Sequence, residues 1–288
     1  MTSTRYGVID IGSNSVRLLI SEGGKCLKKQ IITARLAENA KDGLLKDEPS
    51  FRALKAVSEF IVTAKNDGAD KIFVFATAAV RNAINGKEFA DEIEKSCGIP
   101  VDIVSGEIEG KLGVLGALHG ADGAVLDIGG GSTEIAVMKG GKIIYSKSLP
   151  IGAVALTDKF GQDADKIYQY VIGVIKEYGE IPKADFYCIG GTCTSLAALA
   201  QKLAVYDRDK VDGYKFTIEE ISRLTDEICA LNVGERKLLV GLQKERADII
   251  HAGAIIFKVV AEYVKADCFT VSESDNLEGY LQYVTEKL

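Results

Sequence analysis

The sequence predicts an α/β protein of two mixed-sheet domains around a central cleft, each domain a copy of one ancestral unit. Three observations carry this reading. At 288 residues the chain is long for one hydrophobic core and suits two domains of ordinary size. Its 47% hydrophobic and 26% charged residues, with only four prolines, describe a chain able to bury a sizeable core. Finally, Gly7 to Ile20 repeats as Ala124 to Val137, with Asp10 falling on Asp127, Gly12 on Gly129 and Ser15 on Ser132 at an offset of 117 residues. At that same offset Gly23-Gly24-Lys25 falls on Gly140-Gly141-Lys142.

Each element follows in order. Gly7 to Ile11 is an apolar strand that carries Asp10 near its end, and Gly12 to Ser15 is the tight turn to its return strand. Gly23-Gly24 is a hairpin into a third strand. Ser50 to Lys65 sets Phe51, Leu54, Val57, Phe60 and Ile61 at the spacing of one helical face. Lys71 to Phe75 is a short strand that enters Ala76-Thr-Ala-Ala79 and a helix, and Ile108 to Leu118 reads as a further helix. His119-Gly-Ala-Asp-Gly123 breaks that helix, which sets the expected domains at 1–120 and 121–288. The second copy then runs strand, turn, strand, Gly-Gly hairpin, strand and a helix over Ala164 to Tyr178. A strand from Asp185 to Ile189, a loop over Gly190 to Thr194 and a helix from Ser195 to Leu203 complete it. Two such lobes would bring Asp10 and Asp127 to face each other across a cleft, the usual place for a ligand.

Composition excludes several function classes. A net charge of −6 argues against a broad nucleic-acid surface. The most apolar late stretch, Ala252 to Val264, is interrupted by Lys258 and Glu262 and is too short for a bilayer crossing. Met1 to Tyr6 lead straight into the first strand without a charged-then-apolar leader, so a cytoplasmic protein is expected. Six cysteines without a CxxC pair read as reduced thiols. Neither His119 nor His251 sits in a partnered motif, and both the G-x-S-x-G elbow and the Walker pattern are absent.

The glycine turns supply the positive signal. Gly12-Ser13-Asn14 and Gly129-Gly130-Gly131-Ser132 each offer successive open amides directly after a strand-ending aspartate, and a pair of such turns points to phosphate. Asp10 and Asp127 interrupt apolar strands, where an unpartnered carboxylate is unfavourable. A divalent cation shared with phosphate oxygens would satisfy them, and Glu134 on the return strand is near enough in sequence to join Asp127. Arg17 and Arg81 are cationic forks suited to phosphate, or to surface ion pairs. No reactive nucleophile accompanies them, which leaves a carboxylate acting on water; Glu107 and Glu109, before a helix, are the candidates.

Taken together, Asp10-Ile-Gly-Ser-Asn-Ser15, Ala76-Thr-Ala-Ala-Val-Arg-Asn-Ala83, Ser105-Gly-Glu-Ile-Glu109, Asp127-Ile-Gly-Gly-Gly-Ser-Thr-Glu134 and Gly190-Gly-Thr-Cys-Thr194 resemble the successive motifs of the exopolyphosphatase/guanosine pentaphosphate phosphatase (Ppx/GppA) family. Arg35-Leu-Ala-Glu38 and Glu245-Arg-Ala-Asp248 extend the likeness over nearly the whole chain, in the short two-domain form. The resemblance implies the duplicated actin-like ATPase (ribonuclease H-like) fold. It also implies Mg²⁺-assisted hydrolysis, with K⁺ as an activator, of the terminal phosphate of polyphosphate or the 5′-terminal phosphate of guanosine pentaphosphate, and a homodimer is expected. By the same likeness Glu109 is the general base, Asp127 and Glu134 manage metal or water, and Arg81 with residues 12–14 and 129–132 cradles phosphate; Asp10 joins the expected metal set on its place in the first strand. The chain departs from the family pattern at Ile108, at Gly110-Lys111 and in Arg35-Leu-Ala-Glu-Asn39.

Two other readings fit part of the pattern. An ATP-dependent kinase of the same fold would use the Gly190-Gly-Thr192 motif, though no acceptor-site constellation accompanies it. A non-catalytic binder of guanosine tetra- or pentaphosphate would follow if Ile108 and Lys111 mark eroded chemistry.

Overall fold

Strand β1 (Arg5–Ile11) has Val8, Ile9 and Ile11 fully enclosed, which explains why its residues other than Asp10 show no polar alternation: a strand covered on both faces has none. The computed structural model in which it is seen describes residues 3–40 and 42–286. The chain forms two units, the first running to Glu109 and including the residues from Tyr280 onward, the second spanning Gly110–Gly279.

In the first unit, β1 pairs antiparallel with β2 (Ser15–Glu22), which pairs antiparallel with β3 (Lys25–Thr33). Gly23 and Gly24 make the β2–β3 turn with φ of 57° and 77°, a backbone that glycine adopts without a Cβ clash. Helix α1 (Asp47–Asn66) buries Ala53, Val57, Phe60 and Ala64 and leaves Phe51 exposed. Strand β4 (Lys71–Ala76) lies parallel to β1, and the single turn α2 (Ala78–Arg81) follows it. Helix α3 (Gly86–Cys97) leads to β5 (Val101–Ile103), parallel to β4, which completes the order β3-β2-β1-β4-β5. Tyr280 stacks on Phe75 with centroids 4.3 Å apart and donates its hydroxyl to Asp102 at 3.1 Å.

Helix α4 (Gly106–Leu118) contains the division between the units. The boundary therefore differs from the expected break at Gly120 to Gly123. That segment only ends α4, where His119 and Gly120 turn to φ of 48° and 86°.

The second unit repeats the pattern. Strands β6 (Gly123–Ile128), β7 (Thr133–Lys139) and β8 (Lys142–Leu149) form the antiparallel trio, again with a Gly-Gly turn. Helices α5 (Ala153–Phe160) and α6 (Ala164–Ile175) lead to β9 (Phe186–Ile189), parallel to β6. Helix α7 (Gly190–Ala200) starts directly at Gly190, so the expected loop over 190–194 is helical. The left-handed Gly190, φ 86°, makes the sharp entry, and the Thr194 and Ser195 hydroxyls donate back to the carbonyls of Gly190 and Gly191.

The short α8 (Arg208–Val211), β10 (Lys215–Thr217), α9 (Ile218–Ala230), the short α10 (Val233–Arg236) and α11 (Ile250–Val264) precede β11 (Cys268–Val271) and α12 (Asn276–Thr285). Apart from the added antiparallel edge strand β10, the order β10-β11-β9-β6-β7-β8 is that of the first sheet. The duplicated order is the ribonuclease H-like arrangement of the actin-like fold. Phe257 of α11 packs edge-on against Phe216 and Phe269 at the centre of this unit's core.

The arrangement fixes where chemistry collects. β1, β4 and β5 end at Ile11, Ala76 and Ile103, and β6, β9 and β11 end at Ile128, Ile189 and Val271. The turns leaving those ends carry the sequence-predicted residues, as in other open α/β sheets whose ligands sit beyond the carboxyl ends of parallel strands.

Candidate functional site

The two glycine turns close identically. The Gly12 amide donates to the Ser15 carbonyl at 3.0 Å, and Gly129 to Ser132 at 3.0 Å. A Cβ at either glycine would lie 3.1 Å from that serine carbonyl, so the tightness of the hairpin itself selects glycine there.

Neighbouring segments then orient the peptides. The first amides of α5, on Ala153, Val154 and Ala155, donate to the carbonyls of Gly129 and Gly130 at 2.9–3.0 Å. Gly152 permits this approach, because a Cβ there would meet the Gly130 carbonyl at 2.4 Å. Since a trans peptide sets C=O and N–H on opposite sides, the N–H groups of Gly130 and Gly131 face away from α5. In the first turn the carbonyls of Ser13 and Asn14 accept from Ala34, Arg35 and Ala37, which turns the amides of Asn14 and Ser15 the same way. Successive amides facing one side form an anion cradle. Asn14 and Ser15 in one turn and Gly130 and Gly131 in the other have amides so oriented, whereas the Gly12 and Gly129 amides are spent closing their own hairpins.

The carboxylates differ between the copies. Asp10 is opposite Arg17 across β1 and β2, and Arg17 donates to Asp10 Oδ2 through Nε at 2.8 Å and Nη2 at 2.6 Å. Asp127 is opposite Glu134 across β6 and β7. Directly opposed residues point to one sheet face with Cβ atoms about 5 Å apart. Two buried carboxylates thus sit side by side where the first copy has an ion pair. Asn276 Nδ2 donates to Asp127 Oδ2 at 2.7 Å, and the Ser148 hydroxyl donates to Glu134 Oε1 at 2.5 Å. The buried Tyr178 hydroxyl donates to the Thr133 carbonyl at 2.6 Å; burial, and then the charge of Glu134, push its pKa well up, so the phenol keeps its proton.

Asp10, expected beside Asp127 and Glu134 in a metal set, already has its positive charge from Arg17. Arg17 in turn is engaged in that ion pair. Among the described residues no group of three or more His, Cys, Asp or Glu side chains is arranged to hold a metal. A pair of carboxylates nevertheless fits Mg²⁺, which is ordinarily held by one or two carboxylates, with waters and substrate phosphates completing its shell. Asp127 and Glu134 are that pair.

In the first unit, Arg81 Nη1 donates to Glu109 Oε2 at 2.7 Å and to the Val104 carbonyl at 3.0 Å. Arg81 leaves the end of β4 and Glu109 lies in the first turn of α4, after β5, so adjacent strand ends bring them together. The guanidinium fixes the orientation of the nearly buried Glu109 carboxylate. Glu107, the other acidic candidate, is exposed in the same turn. Gly110 has a packing reason: a Cβ there would sit 2.8 Å from Ser146 Oγ.

Asn276 and Ser148 were not legible as site residues. Asn276 lies 149 residues from Asp127, and its only sequence signal is a helix start in Ser274-Asp-Asn-Leu-Glu278. Ser148 is one of two serines in a strand with outward lysines, and only the β7–β8 register sets it opposite Glu134.

The Ppx/GppA phosphatase family profile matches residues 17–286. The chain belongs to the Ppx/GppA phosphatase family. Among its relatives, Exopolyphosphatase 2 of Mycobacterium tuberculosis is 28% identical over 97% of this chain and 98% of its own length. The Bifunctional 3-dehydroquinate synthase/phosphatase of Fusobacterium nucleatum is 33% identical over 94% of this chain, which spans 45% of that longer protein. A solved Aquifex aeolicus PPX-GPPA enzyme superposes with a TM-score of 0.81 at 30% identity, covering 96% of this chain and 98% of that one. Among the described residues the six cysteines form no disulfide, and no helix is long and apolar enough to cross a membrane.

Proposed function

We propose that this Ppx/GppA chain hydrolyses phosphoanhydrides, releasing the terminal phosphate of inorganic polyphosphate or the 5′-terminal phosphate of guanosine pentaphosphate to water. The observation that carries the reading is the Asp127–Glu134 pair beside an amide turn: two carboxylates and an anion cradle are the donor set for a phosphate and a divalent cation together. The likeness over full length to an exopolyphosphatase supports polyphosphate as substrate.

The residues divide the work by their chemistry. The turns at 12–14 and 129–132 hold phosphate oxygens through amides already oriented by the segments behind them. Glu109, fixed by Arg81, accepts a proton from the attacking water as its oxygen bonds to the terminal phosphorus and the bridging P–O bond breaks. Asp127 and Glu134 would hold Mg²⁺, which neutralises phosphate charge when bound.

The test is phosphate release from short polyphosphate, long polyphosphate and guanosine pentaphosphate, side by side, with Mg²⁺ and K⁺ and no acceptor. Release from at least one substrate is expected. Tight binding of guanosine tetraphosphate with no release from any of them would instead mark a regulatory binder, and release only when an acceptor is added would mark a kinase.

A further inference from the structure

Asn276 is the first residue of α12, 3% exposed, and its position is over-determined. The Asp275 carboxylate caps the Leu277 amide at 2.9 Å, and the Glu278 carboxylate accepts from the Asp275 amide at 3.1 Å. The same turn is pressed on α4. A Cβ at Gly116 would lie 2.0 Å from the Asp275 carbonyl, and a Cβ at Gly279 would lie 1.8 Å from the Leu112 carbonyl. Only two glycines allow these backbones to touch. A Cβ at Gly113, between them on α4, would meet Asn276 Oδ1 at 3.3 Å.

From this anchorage the Asn276 amide nitrogen reaches Asp127 Oδ2 at 2.7 Å. The other oxygen, Oδ1, lies over the turn into α7, where a Cβ at Gly190 would be only 2.5 Å away. The carboxylate is therefore confined from both sides. The amide orientation is dictated as well, since Asn276 Oδ1 facing a carboxylate would be repelled. In its present orientation that Oδ1 is buried with no hydrogen bond, so the side chain is not there to satisfy its own polar atoms.

The first copy gives the contrast. There an arginine from the paired strand holds the equivalent aspartate and also cancels its charge. In the second copy a neutral amide, supplied by the turn after the last parallel strand, is one donor to the aspartate. We propose that Asn276 is a positioning residue for the phosphohydrolase: anchored on α4, it locks the Asp127 carboxylate against the turn into α7 in the orientation that takes Mg²⁺, without competing for it. The inference rests on the proposed role of Asp127 in Mg²⁺ binding.

The test compares wild type with Asn276→Leu and, as a smaller replacement, Asn276→Ser. Magnesium chloride alone is titrated by calorimetry, crystal structures of each variant report the Asp127 rotamer, and phosphate release from polyphosphate is measured across Mg²⁺ concentrations. Mg²⁺ affinity is expected to fall about 10–100-fold in both variants, the range for loss of a partner that orients a metal ligand. Asp127 should leave its present rotamer, while turnover at saturating Mg²⁺ stays within about threefold of wild type, because the ligand itself is retained. Unchanged Mg²⁺ affinity with Asp127 still in place in either folded variant overturns the proposal. Should wild type take up no Mg²⁺, the metal reading of Asp127 fails, and an unmoved Asp127 in the variants would still refute the positioning role by itself.

Discussion

Asp127 faces Glu134 across paired strands in the same register that pairs Asp10 with Arg17 in the first copy. One duplicated framework thus carries an acid–base pair in one half and an acid–acid pair in the other. In the first, Arg17 meets the aspartate's charge within the protein. The proposed Mg²⁺ would offset the carboxylate repulsion in the second.

Restoring the first arrangement in the second copy tests this asymmetry. Glu134→Arg is expected to keep or raise the melting temperature, by giving Asp127 a guanidinium partner, and to lower phosphate release about 100-fold or more by removing half of the metal-holding pair. Turnover close to wild type would show that the acid pair has no part in the reaction.

Glu109→Gln keeps the size of the side chain and an oxygen for Arg81 but removes the proton acceptor. Phosphate release should fall by about 10²–10⁴-fold, while circular dichroism and binding of inorganic phosphate stay as in wild type. A loss of less than about tenfold would be too small for a general base.

The turn after Asp127 depends on how closely α5 approaches. Gly152→Ala would drive a Cβ to 2.4 Å from the Gly130 carbonyl. A loss of about 1–3 kcal/mol in denaturant stability and weaker binding of inorganic phosphate are expected. Gly173→Ala is the control, since nothing lies within 4 Å of a Cβ at that exposed position of α6. There the exchange should add about 0.5–1 kcal/mol through helix propensity and leave turnover alone.

His251 sets an acid limit on stability. It is fully enclosed, its Nε2 lies 3.1 Å from the Gly161 carbonyl, and burial, with the nearby Arg236 charge, lowers its pKa to about 4. Between about pH 4 and 6.5 the unfolded chain therefore binds a proton that the folded chain refuses. Stability should be complete above about pH 6.5 and decline by up to about 3 kcal/mol as the pH falls to 4. His251→Gln, which keeps a donor for Gly161, should flatten that slope in urea titrations; an unchanged slope would assign the acid sensitivity to other groups.

Much of this was legible because the sequence repeats itself. The matched strand–turn–strand segments showed both amide turns, both aspartates and the antiparallel trio that opens each sheet, since period-two strands around a Gly-Gly hairpin leave little freedom of register. Arg81 and Glu109 were both visible, but their ion pair was not, because it depends on β4 and β5 being neighbours. The unit boundary escaped because α4 stays helical through residues 109 and 110, and a change of contacts within a continuous helix leaves no break in composition. Residues 190–194 looked like a loop for their glycines and threonines, yet only Gly190 needs a non-helical φ.

The hydrogen bonds from α5 to the carbonyls of Gly129 and Gly130 have an electronic consequence. A peptide whose oxygen accepts a bond becomes more polarised, and its own N–H becomes a stronger donor. The amide dipoles are also locked before any anion arrives, so capture requires little rearrangement of the chain. In the proposed phosphate role of this turn, helix α5 would act at a distance of one peptide plane, on a ligand it need never touch.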